Sequence, residues 1–107
     1  MFASGEAKIA VIQIREGMVD QKGIEHMSKR FGLMLLTGGL EVRMVGTESH
    51  TIICMVESIR ELFELQRFAT DMEQVLFVQV DKKRIPGKHI TEAERKEHKL
   101  KKVDDDL

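Results

Sequence analysis

The stretch His50-Thr51-Ile52-Ile53-Cys54-Met55-Val56-Glu57-Ser58 decides how this chain folds. It reads as a β-strand that runs straight into the start of a helix. Its apolar residues, Ile52 to Val56, are consecutive and do not alternate with polar ones, the pattern of a strand covered on both faces. The rest of the chain must supply that cover.

Working outward, Ser58-Ile59-Arg60-Glu61 is a capping box, a serine with a glutamate three residues on. After it Leu62, Leu65, Ala69 and Met72 form the buried stripe of a helix, with Ile59 and Phe68 beside it. Gln74–Val80 is a further strand. On the N-terminal side Leu40–Val45 alternates cleanly and reads as a strand with one polar face, joined to the central strand by a turn over Gly46-Thr47-Glu48-Ser49. Before it, Ile24, Met27, Phe31 and Leu35 recur at helical spacing. Met34 widens that stripe, Asp20 is available as a cap, and Gly38-Gly39 stops the helix. Lys8–Ile14 is the first strand.

The order is βαββαβ. Its simplest closed arrangement is an α+β, ferredoxin-like sandwich with sheet order 4-1-3-2 and both helices on one face. The expected organisation is a flexible N-terminal arm at 1–7, the α/β domain at 8–81 and a charged tail at 82–107. The segment from Asp81 onward holds nine of the seventeen Lys and Arg residues and seven acids. A capping box at Thr91-Glu92-Ala93-Glu94 predicts a short helix from about Glu92, but the stripe behind it (Ala93, Leu100, Val103) is thin, so the expectation is a loosely held tail.

Composition narrows the function. The net charge is −1, with no Trp and no Tyr. Nucleic acid is not expected as a partner, because phosphate binding needs a basic surplus and base stacking needs strand aromatics, of which Phe77 alone qualifies. No apolar run approaches the ~20 residues of a membrane helix, so no membrane partner is expected either. Met1–Glu6 shows no signal-peptide pattern, and the single cysteine, Cys54, excludes an internal disulfide framework; cytoplasm is the expected compartment.

Two helices cover one face of a four-stranded sheet. If Val45 pairs with His50, the second face collects Glu41, Arg43, Val45, His50, Ile52, Cys54 and Val56. Strand one adds Ile9, Val11, Gln13 and Arg15, and strand four adds Val75, Phe77 and Gln79. That face is half apolar, and leaving it wet would forfeit several kcal/mol at ~25 cal/mol per Å² of apolar surface. A homodimer with its sheets face to face is therefore expected, around an apolar pocket lined by Gln13, Arg43, His50 and Gln79. An odd loop count would remove His50 from the list.

This arrangement resembles the dimeric α/β-barrel superfamily. The phrase His50-Thr51 to Val56-Glu57, followed by Leu62, Leu65 and Phe68, is similar to small uncharacterised members with a histidine at the start of strand three. The superfamily includes cofactor-free monooxygenases, haem-binding members and ligand-sensing domains. The resemblance covers residues 8 to 81 and implies a homodimer that binds a small organic ligand; no catalytic residue carries over.

The sharpest chemical candidate is His50, as a general base or ligand group, set against a rim histidine bonded to water. Arg43, diagonal to it in that register, would clamp an anion. Gln13 and Gln79 would orient a ligand or simply bond across an interface. A cofactor-free monooxygenase or isomerase with His50 as base is the alternative function, and a dimer without a ligand is a third. No His/Cys spacing matches a metal site, and no cofactor is expected. Cys54 reads as a buried, inert thiol.

Overall fold

The computed structural model describes residues 7–101 and runs β1 (Lys8–Ile14), α1 (Ile24–Thr37), β2 (Arg43–Glu48), β3 (Thr51–Val56), α2 (Ile59–Asp71), β4 (Val75–Val80), β5 (Lys83–Pro86) and α3 (Glu92–Glu97). Residues 1–6 of the expected arm and 102–107 of the expected tail lie outside the described residues. The strands form one antiparallel sheet in the order β2-β3-β1-β4-β5. This is an α+β domain compatible with a ferredoxin-like fold, with one sheet of five strands where four, in the order 4-1-3-2, were expected.

The added strand, β5, falls in the segment read as a loose tail. Three cations in a row, Lys82 to Arg84, suggest solvation, but an edge strand accepts charge because one of its edges stays wet. Asp81 makes the tight connection with φ 55, a left-handed conformation that aspartate tolerates. Arg84 then lies over the Phe77 ring, 4.6 Å from its centroid.

The capping box at Thr91 forms in full, with Thr91 Oγ1 accepting from the Glu94 N–H and Glu94 Oε1 accepting from the Thr91 N–H. The short α3 is held to the sheet and not left free. Arg15 Nε donates to Glu94 Oε2 at 3.0 Å, and Leu100 is buried with Leu76 and Phe77 against Ile90. Between β5 and α3, Lys88 bonds Asp71 through its side chain and the Thr70 carbonyl through its N–H.

The main core lies between the sheet and α1 and α2. Met27, Phe31 and Leu35 of α1, and Leu62, Leu65 and Ala69 of α2, meet Ala10, Ile12 and Ile14 of β1 and Ile52, Cys54 and Val56 of β3. The α2 capping serine works as predicted, Ser58 Oγ accepting from the Glu61 N–H. Asp20 does not cap α1. Its carboxylate bonds His26 and Arg30 on the helix, and Gly23, at φ 97, is the N-cap. Met34 lies outside the stripe and is exposed.

The main correction concerns the β2–β3 hairpin. β2 runs on through Gly46 to Glu48, and the loop is only Ser49-His50. Val45 therefore pairs with Ile53, not with His50. A slip of three residues is odd, so it turns every β3 side chain to the other face. Ile52, Cys54 and Val56 go to the helices, and Thr51, Ile53 and Met55 to the open face. Glycine at position 46 permits this extension: a Cβ there would lie 3.0 Å from backbone atoms of Ile24 and Glu25 in the first turn of α1.

Gly87 is the tightest point of the fold after β5. Its N–H donates to the Leu76 carbonyl at 2.9 Å, and an added Cβ would meet the Val75 carbonyl oxygen at 2.1 Å. Gly87→Ala is expected to cost about 1–3 kcal/mol, the usual scale for forced overpacking. Gly38→Ala, where a Cβ makes only an ordinary 3.5 Å contact, should cost clearly less. Denaturant midpoints of the two variants check this, and equal costs would mean that the chain after β5 is not held against β4.

Candidate functional site

The face of the sheet away from α1 and α2 follows from the pairing. Rows of partners place Arg43, Met55 and Ile9 at one end, Val45, Ile53, Val11 and Gln79 in the middle, and Thr51, Gln13 and Phe77 at the other end. This face has two halves. On the β4–β5 side Leu100 packs on Leu76 and Phe77, and the His98 ring lies 6.4 Å from Phe77, centroid to centroid. On the β1–β3–β2 side nothing in the described chain covers the apolar residues. Ile9 is 52% exposed, Val45 47% and Met55 38%, with Val11 and Ile53 half-buried.

Three of the four expected pocket residues are spread over this surface, and the fourth, His50, lies in the hairpin loop. Gln13 Oε1 accepts from Thr51 Oγ1 at 3.1 Å. Gln79 donates to the Asp81 carbonyl and accepts from Arg84 Nε at 3.2 Å. Arg43 is exposed on the edge strand, opposite Met55. Since β3 advances ~3.3 Å per residue, the five steps from Met55 to His50 amount to ~16 Å. Arg43 and His50 are thus not brought together, contrary to the expected diagonal contact.

His50 sits in the hairpin loop. Its carbonyl accepts from the Ile14 N–H at 2.8 Å, its Nδ1 is 2.8 Å from Ser49 Oγ, and its Nε2 is 3.7 Å from Glu16 Oε2. It borders a cleft of about 330 Å³ with Glu48, Glu94, Glu97 and His98. Among the described residues no group of three or more His, Cys, Asp or Glu side chains could hold a metal ion.

Two titrating groups are tuned by these contacts. The hydrogen bond from Arg15 holds the Glu94 carboxyl below its ordinary value, assisted by the Thr91 N–H. Burial pushes the Cys54 thiol up to about 12, because the thiolate would lie in an apolar core. No helix among the described residues is long and apolar enough to cross a membrane.

Sequence reasoning missed Ile53, Met55 and Thr51 as open-face residues, because Gly46 looked like the turn. It also missed the α3 dock. The available signal was Leu100, an isolated apolar residue three positions after a capping-box helix.

No protein-family model matches the chain, and no curated protein matches it.

Both tuned groups give direct tests. Glu94 has a depressed folded-state value, so its ion pair with Arg15 contributes stability that is fully present at neutral pH. That contribution is lost as pH falls through the folded-state midpoint. A carboxyl NMR titration should show a Glu94 midpoint below that of an ordinary glutamate, moving upward in Arg15→Gln. Cys54 should resist a water-soluble thiol reagent at pH 8 and react once the chain is unfolded in denaturant.

Proposed function

We propose that the chain is a homodimeric binding module of the dimeric α/β-barrel kind, in which two open faces pack together around a small organic ligand. The observation that carries this reading is the apolar patch of Ile9, Val11, Val45, Ile53 and Met55, which no described residue covers, on an otherwise well-buried antiparallel sheet. Each such side chain is worth ~1.5–3 kcal/mol when fully buried, so five of them outweigh what a single folded chain has reason to leave in water. A second copy offers a surface of the same shape and polarity, as a two-fold interface requires.

In this proposal the ligand occupies the space between the paired faces. Gln13, Gln79 and Arg43 supply the polar contacts, and His50 stands at the rim. Isologous packing doubles each of these groups, which suits a ligand with an apolar body and one or two polar ends. The proposed compartment is the cytoplasm, where a free buried thiol such as Cys54 is ordinary. The enzyme reading with His50 as base and Arg43 as clamp loses its geometric support, since the two are five strand residues apart.

Size-exclusion chromatography with light scattering at micromolar concentration is expected to give a dimer. Ile53→Glu with Met55→Glu should give a monomer with unchanged far-UV circular dichroism. A wild-type monomer overturns the proposal. Native mass spectrometry of the dimer then separates a ligand carrier, heavier than twice the chain, from a dimer without a ligand.

A further inference from the structure

A further cleft lies beside α2, at the β4–β5 edge of the sheet. The fifth strand carries the sheet past α2, and a cleft of about 840 Å³ remains between α2, the β4–β5 hairpin and the chain at Lys99–Lys101. Its walls are apolar, with Ile59 and Phe63 from α2, Ile85 from β5 and Leu100. Phe63 is 60% exposed and Ile59 47%, so the start of α2 offers an aromatic and a branched aliphatic side chain largely to solvent. Leu100, by contrast, is fixed from behind by Leu76 and Phe77.

The lining is also strongly cationic. Lys82 and Lys83 come from the β4–β5 hairpin, and Lys99 and Lys101 from the chain after α3. Among the described residues none of these four has an acidic partner within 4.0 Å. The one acid in the lining, Asp81, is already bonded to Lys8 at 3.1 Å. Among the described residues the cleft therefore combines apolar side chains with ammonium groups that have no acidic partner. Its volume lies in the range of small-ligand pockets.

We infer that this cleft binds a single-chain amphiphile with an anionic head, the chain lying along Ile59, Phe63 and Ile85 and the carboxylate or phosphate resting among Lys82, Lys83, Lys99 and Lys101. A neutral apolar ligand would leave the four ammonium groups unused, and an inorganic anion would leave Phe63 in water. Only a ligand with both parts uses the whole surface. None of Ile9, Val11, Val45, Ile53 and Met55 lines this cleft, and its lining comes from a single chain. On binding, the ligand covers Phe63 and neutralises part of the charge on β5, so the added strand should gain protection as the cleft fills.

The test uses the full chain and submicellar dodecanoate, with dodecyl phosphate as the second anionic head and dodecyltrimethylammonium as the same chain with a cationic head. Calorimetry should show saturable binding of at least one anionic amphiphile, at least tenfold tighter than the cationic one and weakened by salt. The stronger of the two anionic probes identifies the head group. Phe63→Ser and the pair Lys82→Glu with Lys83→Glu should each weaken binding at least tenfold. These side chains are exposed, so circular dichroism should remain unchanged. NMR shifts on titration should fall on Ile59, Phe63 and Ile85. Equal affinity for both head charges, binding that survives both variants, or shifts confined to Ile9, Ile53 and Met55 would each overturn the inference.

Discussion

The pairing of Val45 with Ile53 is the constraint on which the rest of the structure depends. It sets which alternate residues of β3 meet the helices, and because β3 is central it sets the same for the whole sheet. With this register Ile52, Cys54 and Val56 are fully buried against α1 and α2. A one-residue slip would exchange them for Thr51, Ile53 and Met55. Gly46 favours the register, since a Cβ there would sit 3.0 Å from the first turn of α1 and force that turn to give. The Glu25 carboxylate fixes the same point by accepting from the Gly46 N–H at 2.9 Å.

The last third of the chain solves a second problem, the cover of the other face. β5 widens the sheet, Gly87 turns the chain close over β4, and α3 with Leu100 closes the end where Leu76 and Phe77 would otherwise be wet. A β-bulge assists, because the register shift between Gln13 and Ile14 leaves Leu76 as an extra residue on β4. This cover stops at the β1–β4 boundary. The remaining half of the face carries Ile9, Val11, Val45, Ile53 and Met55, and that asymmetry is what the proposed assembly of two chains rests on.

Much of this was legible in the sequence, for identifiable reasons. The stripes of α1 and α2 are long enough for helical periodicity to show, and the Ser58 and Thr91 caps have fixed spacing. The strands announced themselves as apolar runs. What was hidden was register. Between Val45 and Thr51 the chain offers Gly46 and Ser49 as turn residues. Only the close approach of α1, a tertiary contact, decides between them, and with it the placement of His50 in the loop. The β5 edge was hidden because Lys83 and Arg84 look solvated until Phe77 lies beneath Arg84. Gln13, Gln79 and Arg43 do lie on one face of the sheet, but their separation along the strands was hidden, because it follows from the same register.

The central claim is that a second copy of the chain covers the bare half of the sheet. Isotope-filtered NOE spectroscopy on a mixture of labelled and unlabelled protein tests it most directly. The account predicts intermolecular contacts among the methyl groups of Ile9, Val11, Val45, Ile53 and Met55, and none from Ile12, Ile52 or Val56. Intermolecular contacts confined to the outer surface of α1 or α2, or none at all in a sample with the rotational correlation time of a monomer, would contradict it.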